Sequence, residues 1–273
     1  MIISTLSEIK RKGEEMKSKL KDIWDYRDMI YSLVKRELRG RYQKSVLGML
    51  WTFLNPFFQI VIYTIVFTFI FPNSIENYYI YLMIGIIPWN FFAESLSQGA
   101  GSIIANSDMT KKIYFPREIL TIASVTAKFV NMLLGFIPVF LFIIISGTGI
   151  SAHVLLLPVV WLTEYIIALG FALFFASVTV YLRDMEYIVG VLLMAWIWAT
   201  PIMYAFDTLP DVICKILLLN PMTLIVSSYH NILYYHQMPT MLTMFGSLAE
   251  GVVLLLIGEV IFMKLEGDFA EEL

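Results

Sequence analysis

"KKIYFPREIL", residues 111–120, gathers two lysines, an aromatic pair, a proline and an Arg-Glu step between two long apolar stretches. It is too polar to lie in lipid and too short to be a domain, so the runs beside it, near 79–103 and 122–146, read as separate membrane-spanning helices. A helix rises about 1.5 Å per residue, and about 20 apolar residues cross the roughly 30 Å hydrocarbon layer. The same measure predicts further spans near 50–71, 154–181, 187–205 and 242–264.

Composition agrees with this reading. Hydrophobic residues make up 59% of the 273 and charged residues 15%, with a mean hydropathy of +0.75, more apolar side chain than one water-soluble core hides. The expected fold class is an all-α polytopic membrane protein with six transmembrane helices. The stretch 207–240 is apolar but broken by Pro210, Pro221 and Pro239, and reads as short re-entrant helices before the last span. The single cysteine, Cys214, excludes an intrachain disulfide and zinc sites built on several cysteines. The charged N-terminal stretch lacks the apolar core of a cleaved signal peptide.

Six crossings put both ends on one side. Of the 19 lysines and arginines, only Lys215 falls outside the segments assigned to one face, so both termini, the KKIYFPRE loop and the YLRDMEY loop (181–187) are expected in the cytoplasm. In DMIYSLVKRELRGRYQKS, Ile30, Leu33, Val34, Leu38 and Tyr42 share one helical face while Lys35, Arg36, Arg39 and Lys44 lie away from it. That pattern predicts an amphipathic helix over 28–46, lying in the inner headgroup layer with its apolar stripe down. A plain basic anchor for anionic lipid fits the same residues. Residues 1–27 and 266–273 are then cytoplasmic tails around a transmembrane domain at 47–265.

Several chemistries are missing from the chain. It contains no P-loop, HExxH, G-x-S-x-G elbow or Cys-His cluster. His153, His230 and His236 fall on the predicted outer side and read as interfacial side chains rather than ligands. Glu94, Glu164, Glu250 and Glu259 lie within spans, where ionisable groups are costly. Glu250 and Glu259 are half a helical turn out of phase and cannot face one pore together. For Glu94 and Glu164, interhelical hydrogen bonding is weighed ahead of proton coupling.

The second span turns from apolar to small and polar in ESLSQGAGSIIANSD (94–108), where Ser95, Gln98 and Ser102 could either pack helices closely or line a polar pathway. In MAWIWATPIMY (194–204), Trp196 and Trp198 lie mid-span, away from any interfacial belt, and with Tyr204 form an aromatic cluster. Rings of this kind pack against neighbouring helices or against sugar faces, and both readings remain open.

The runs LVKRELRGRYQKSVLGMLWTFLNPF (33–57), GIIPWNFFAESLSQGAGSI (85–103), KKIYFPREIL (111–120), YLRDM (181–185), ATPIMY (199–204) and NPMT (220–223) resemble, in order and spacing, the ABC-2 type permeases that export polysaccharides such as O-antigen, capsule and teichoic acid. The resemblance covers nearly the whole chain from about residue 30. It implies a homodimer in the cytoplasmic (plasma or inner) membrane, with two copies of a separate ATPase subunit that hold ATP and Mg. No cofactor in this chain and no nucleic-acid partner are implied.

In that family the loop between the second and third spans carries a coupling helix that enters a groove on the ATPase, here near 110–120. Tyr114 and Phe115 would form its apolar knob, Pro116 its helix start or bend, and Lys111, Lys112, Arg117 and Glu118 its polar rim. Arg183 and Asp184 match a short cytoplasmic turn expected to hold a charge pair or an ATPase contact. The substrate implied is a glycan on a polyprenyl diphosphate, whose diphosphate would meet Arg39, Arg41 and Lys44. One departure is Tyr229-His230, where the family usually has Tyr-Arg; no role is carried over to His230. Two alternatives remain: an ABC-2 exporter of a small amphiphile or drug, and a membrane-embedded glycan-transferring enzyme.

Overall fold

The computed structural model describes residues 21, 23–40, 47–70 and 75–273, among which every regular element is helical. In chain order the helices are α1 (Arg27–Gly40), α2 (Trp51–Ile65), α3 (Tyr78–Gly101), α4 (Ser107–Lys112), α5 (Glu118–Ile145) and α6 (Leu157–Tyr181). There follow α7 (Met185–Trp196), α8 (Asp211–Leu217), α9 (Pro221–Leu233), α10 (Ser247–Leu265) and α11 (Phe269–Glu272). A π-type turn, Val66–Ile70, extends α2.

Four helical stretches are long and apolar enough to cross a membrane: Trp51–Ile70, Tyr78–Gly101, Glu118–Ile145 and Ala152–Tyr181. The chain is a multi-pass membrane protein. Counting the bent pair α8 and α9 as one span would make five. The expected span 187–205 differs most, because its helix stops at Trp196 after 12 residues, about 18 Å. Pro201 supplies the reason: it has no N–H for the carbonyl of Ile197, and its ring crowds that carbonyl. α10, at 19 residues, carries Glu250, Glu259 and Lys264.

α3 is the buried centre of the bundle, packed by α5, α6 and α9. Small residues set how closely the helices approach. A Cβ on Gly258 would collide with the backbone carbonyl of Gly170, and one on Gly99 would come 2.7 Å from the Ala172 methyl. α10 and α3 therefore lie backbone-close against α6, the arrangement that membrane helices use where the surrounding lipid gives little hydrophobic drive. α2 is different: Ile60 is its only buried residue of those described, and Phe57, Phe58, Ile62 and Ile65 are exposed.

α8 and α9 meet at 106°. Asn220 makes the corner: its side chain caps α9 by accepting from the Met222 N–H at 3.0 Å, and Pro221 occupies the first turn, where a missing N–H costs nothing. α9 is buried within the bundle rather than lying on it. Its Tyr229 hydroxyl donates to Glu164 Oε2 at 2.6 Å. His230, expected at the interface, is 3% exposed, stacks on the Tyr81 ring at 3.8 Å and places Nε2 3.0 Å from the Tyr81 carbonyl.

Candidate functional site

The elbow between α4 and α5 lies at one end of the bundle. α4 ends at Lys112, Ile113 is extended (φ −129°, ψ 136°), and α5 begins at Glu118. The single coupling helix expected over 110–120 is thus two helices with an extended step between them. Pro116 explains the break, since the residue before a proline is driven out of the helical region and proline fits just ahead of a helix start.

The aromatic pair splits across this step. Tyr114 is 97% exposed, whereas Phe115 is 5% exposed and packs with Leu33, Val34, Ile119 and Leu120. The projecting knob is therefore Ile113 with Tyr114, rimmed by exposed Lys111 and Lys112. Phe115 belongs to the interior and Glu118 is fully buried.

Two distant segments hold the elbow. The Tyr26 hydroxyl, ahead of α1, donates to the Tyr114 carbonyl at 3.4 Å. Arg117 does not stand free on the rim: its guanidinium donates to the Glu266 carbonyl and lies over the Phe269 ring, 5.6 Å from the centroid. Phe269 is itself fully buried against Phe262, and the Tyr181 hydroxyl donates to the Leu265 carbonyl at 2.8 Å. Arg183 and Asp184 are exposed in the turn between α6 and α7 and form no ion pair with each other.

α1 covers α5 with its apolar stripe: Leu33 and Val34 are buried in the cluster that contains Phe115 and Ala123. Arg39 is exposed, while Arg41, Lys44 and Tyr42 lie outside the described residues. α1 is also tied down by polar bonds. Lys128 of α5, 2% exposed, pairs with Glu37 at 2.8 Å, and Arg36 Nη2 donates to Asn106 Oδ1 at 2.5 Å. Sequence reading counted Lys128 among the topology charges and missed this pair; the available signal was a lone lysine well inside an apolar run.

The polar face of α3 turns toward α1. Gln98 lines a cavity of about 680 Å³ together with Arg36, Glu37, Asn106, Ser102 and Lys128. Ser102 bonds Thr121 Oγ1 at 2.9 Å, and the Ser95 hydroxyl is fully enclosed with no hydrogen-bond partner among the described residues.

The aromatic cluster is divided as well. Trp196 packs edge-on to Phe92 and Phe171 and donates its indole N–H to Asn220 Oδ1 at 2.9 Å. Trp198 is 58% exposed, and the Tyr204 hydroxyl donates to its carbonyl at 3.0 Å. The Asn220 Nδ2 group donates to the Ala199 carbonyl at 2.9 Å and lies 3.0 Å from Thr200 Oγ1. NPMT and ATPIMY, separated by α8, are thus joined at Asn220.

Comparison with known proteins follows the same segments. The profile of the family described as ABC-2 type transporter matches residues 29–234. The O-antigen export system permease protein RfbA of Myxococcus xanthus is 34% identical over 257 residues, 93% of this chain and 98% of that relative. A protein of the same name from Klebsiella pneumoniae is 29% identical over 250 residues, 89% of this chain and 94% of the relative. The polysialic acid transport protein KpsM of Escherichia coli is 24% identical over 204 residues, covering 72% and 78%. With most of its length matched by the profile and more than a third of one aligned stretch identical, this chain belongs to the ABC-2 type transporter family.

Proposed function

We propose that the chain is the membrane subunit of an exporter that moves a polysaccharide out of the cell, working as a homodimer driven by a separate ATPase subunit. Its near end-to-end likeness to O-antigen export permeases of two organisms carries this reading. The positive-inside bias supports six crossings with both termini and the elbow in the cytoplasm, in the inner membrane. α7 with residues 197–205 and α10 are then the fifth and sixth crossings, and the α8–α9 pair dips in from the outer face.

On this reading Ile113 and Tyr114 enter a groove on the ATPase, which holds ATP and Mg, and Lys111 and Lys112 flank the contact. Arg117 and Glu118 support it from behind. α1 lies at the level of the inner headgroups, where Arg39, Arg41 and Lys44 meet the diphosphate of a polyprenyl-linked glycan; arginine forks match phosphate oxygens. The exposed face of α2 is available to the second copy. Of the residues weighed for the channel, Gln98 and Trp198 are the accessible ones.

The test is made in the host. Deleting the chain is expected to remove the glycan from the cell surface and leave lipid-linked polymer inside, with recovery on re-expression. Unchanged surface glycan overturns the reading, and stimulation of the assembled ATPase by amphiphilic drugs but not by lipid-linked glycan favours the small-molecule alternative.

A further inference from the structure

A second cavity, of about 270 Å³, lies where α2 meets α3 and α5, and the residues that form it were not among those weighed for the channel. Its polar lining comes from three helices and includes Asn55 and Gln59 on α2, Asn90 and Glu94 on α3, and Lys128 and Asn131 on α5. At about 1.5 Å per residue these groups stand roughly 6–20 Å from the elbow ends of their helices, within stretches whose hydropathy places them in lipid. Polar side chains at that depth are costly and need partners.

Only part of that need is met internally. Asn90 Nδ2 donates to Gln59 Oε1 at 3.0 Å, and Lys128 Nζ donates to Glu37 Oε1 at 2.8 Å. Asn55 and Asn131 form no side-chain hydrogen bond among the described residues. Each amide offers two donors and an acceptor, so the cavity keeps hydrogen-bonding capacity toward a guest.

The lining also selects among guests. The lysine in the lining, Lys128, is already matched by Glu37, so a phosphate finds no unmatched cation among the described lining residues and an anion is disfavoured. An apolar guest would leave the amides without partners. A neutral ring rich in hydroxyls satisfies them, while Trp51, 39% exposed, supplies aromatic surface for its C–H faces. The volume lies just below the roughly 300–1,000 Å³ of drug-sized ligand sites, which suits about one ring.

We propose that this pocket holds one neutral sugar ring of the transported glycan, with Asn55 and Asn131 as its principal hydrogen-bonding groups. The inference rests on the polysaccharide-export reading. Lys128 also lines the larger cavity beneath α1, so a chain arriving at the headgroup level would reach the pocket past the Glu37–Lys128 pair.

The experiment places the photo-crosslinking residue p-benzoylphenylalanine at Asn55, Asn131 or Ile144 of the intact transporter in cells making their native glycan. Ile144, 62% exposed on α5 and outside the pocket lining, is the control. Carbohydrate-stained adducts, abolished by periodate, are expected from the first two positions and not the third. Lipid adducts alone, or none, from Asn55 and Asn131 overturn the proposal. Asn131→Leu, which lipid and helix both tolerate, is expected to slow glycan appearance at the surface about fivefold at equal membrane amounts; an unchanged rate overturns the proposal. Should deletion of the whole chain leave surface glycan intact, the export reading falls and takes the pocket with it; should deletion abolish the glycan while the pocket positions stay silent, only the pocket assignment is lost.

Discussion

The indole N–H of Trp196 donates to Oδ1 of Asn220 at 2.9 Å, joining the last turn of α7 to the first turn of α9. The same oxygen caps α9 through Met222, and the amide nitrogen bonds the carbonyl of Ala199. One side chain therefore closes the end of a helix stopped by Pro201 and opens the next buried one.

Replacing Asn220 with alanine strips the cap and the bonds to Trp196, Ala199 and Thr200 at once. A helix cap contributes about 1 kcal/mol and a stranded buried donor costs about 1–3 kcal/mol, so a loss of roughly 2–4 kcal/mol is expected. Trp196→Phe keeps the ring contacts and should cost about 1 kcal/mol. Thermal unfolding of the purified protein reads both; additive effects in the double variant would show that the two residues do not act together.

Tyr114 and Phe115 should separate in their effects. Tyr114→Ala removes an exposed ring, leaving the melting temperature unchanged while transport and transport-linked ATP hydrolysis fall. Phe115→Ala empties a packed site and should cost about 3 kcal/mol of stability. A Tyr114→Ala transporter with normal coupling would argue that this ring does not dock.

Glu37→Ala leaves Lys128 buried without its partner and should destabilise by about 3 kcal/mol. Lys128→Met combined with Glu37→Leu removes both charges and should recover most of that loss. If the double variant melts no higher than Glu37→Ala, the pair does not explain the penalty. Because the variants also change the wall of the proposed sugar pocket, stability and not transport is the quantity to compare.

Gly258→Val inserts a branched side chain against the Gly170 carbonyl, where not even a methyl fits. Separating α10 from α6 should cost about 3 kcal/mol or more and reduce the amount of folded protein in the membrane. Gly190→Ala serves as the control, because a Cβ there meets nothing within 4 Å. Equal recovery of the two variants would contradict the close backbone approach.

The membrane class, the all-helical content, the starts and ends of the long apolar helices to within a few residues, and the position of the polar elbow are legible in the amino-acid order alone. These follow from hydropathy, proline and local spacing, properties that a short window of residues carries. The short α7 is half legible, since Pro201 marks a break while the apolar run continues past it to residue 205. Packing between distant helices is what turns Phe115 inward while Tyr114 projects, sets Arg117 on the C-terminal segment and buries His230 on Tyr81. It also brought Glu37 to Lys128, 91 residues away, and Trp196 to Asn220. Those outcomes depend on which helix faces lie against each other, and no local periodicity states that; the polarity of a residue shows that it needs a partner, whereas packing of distant segments chooses the partner.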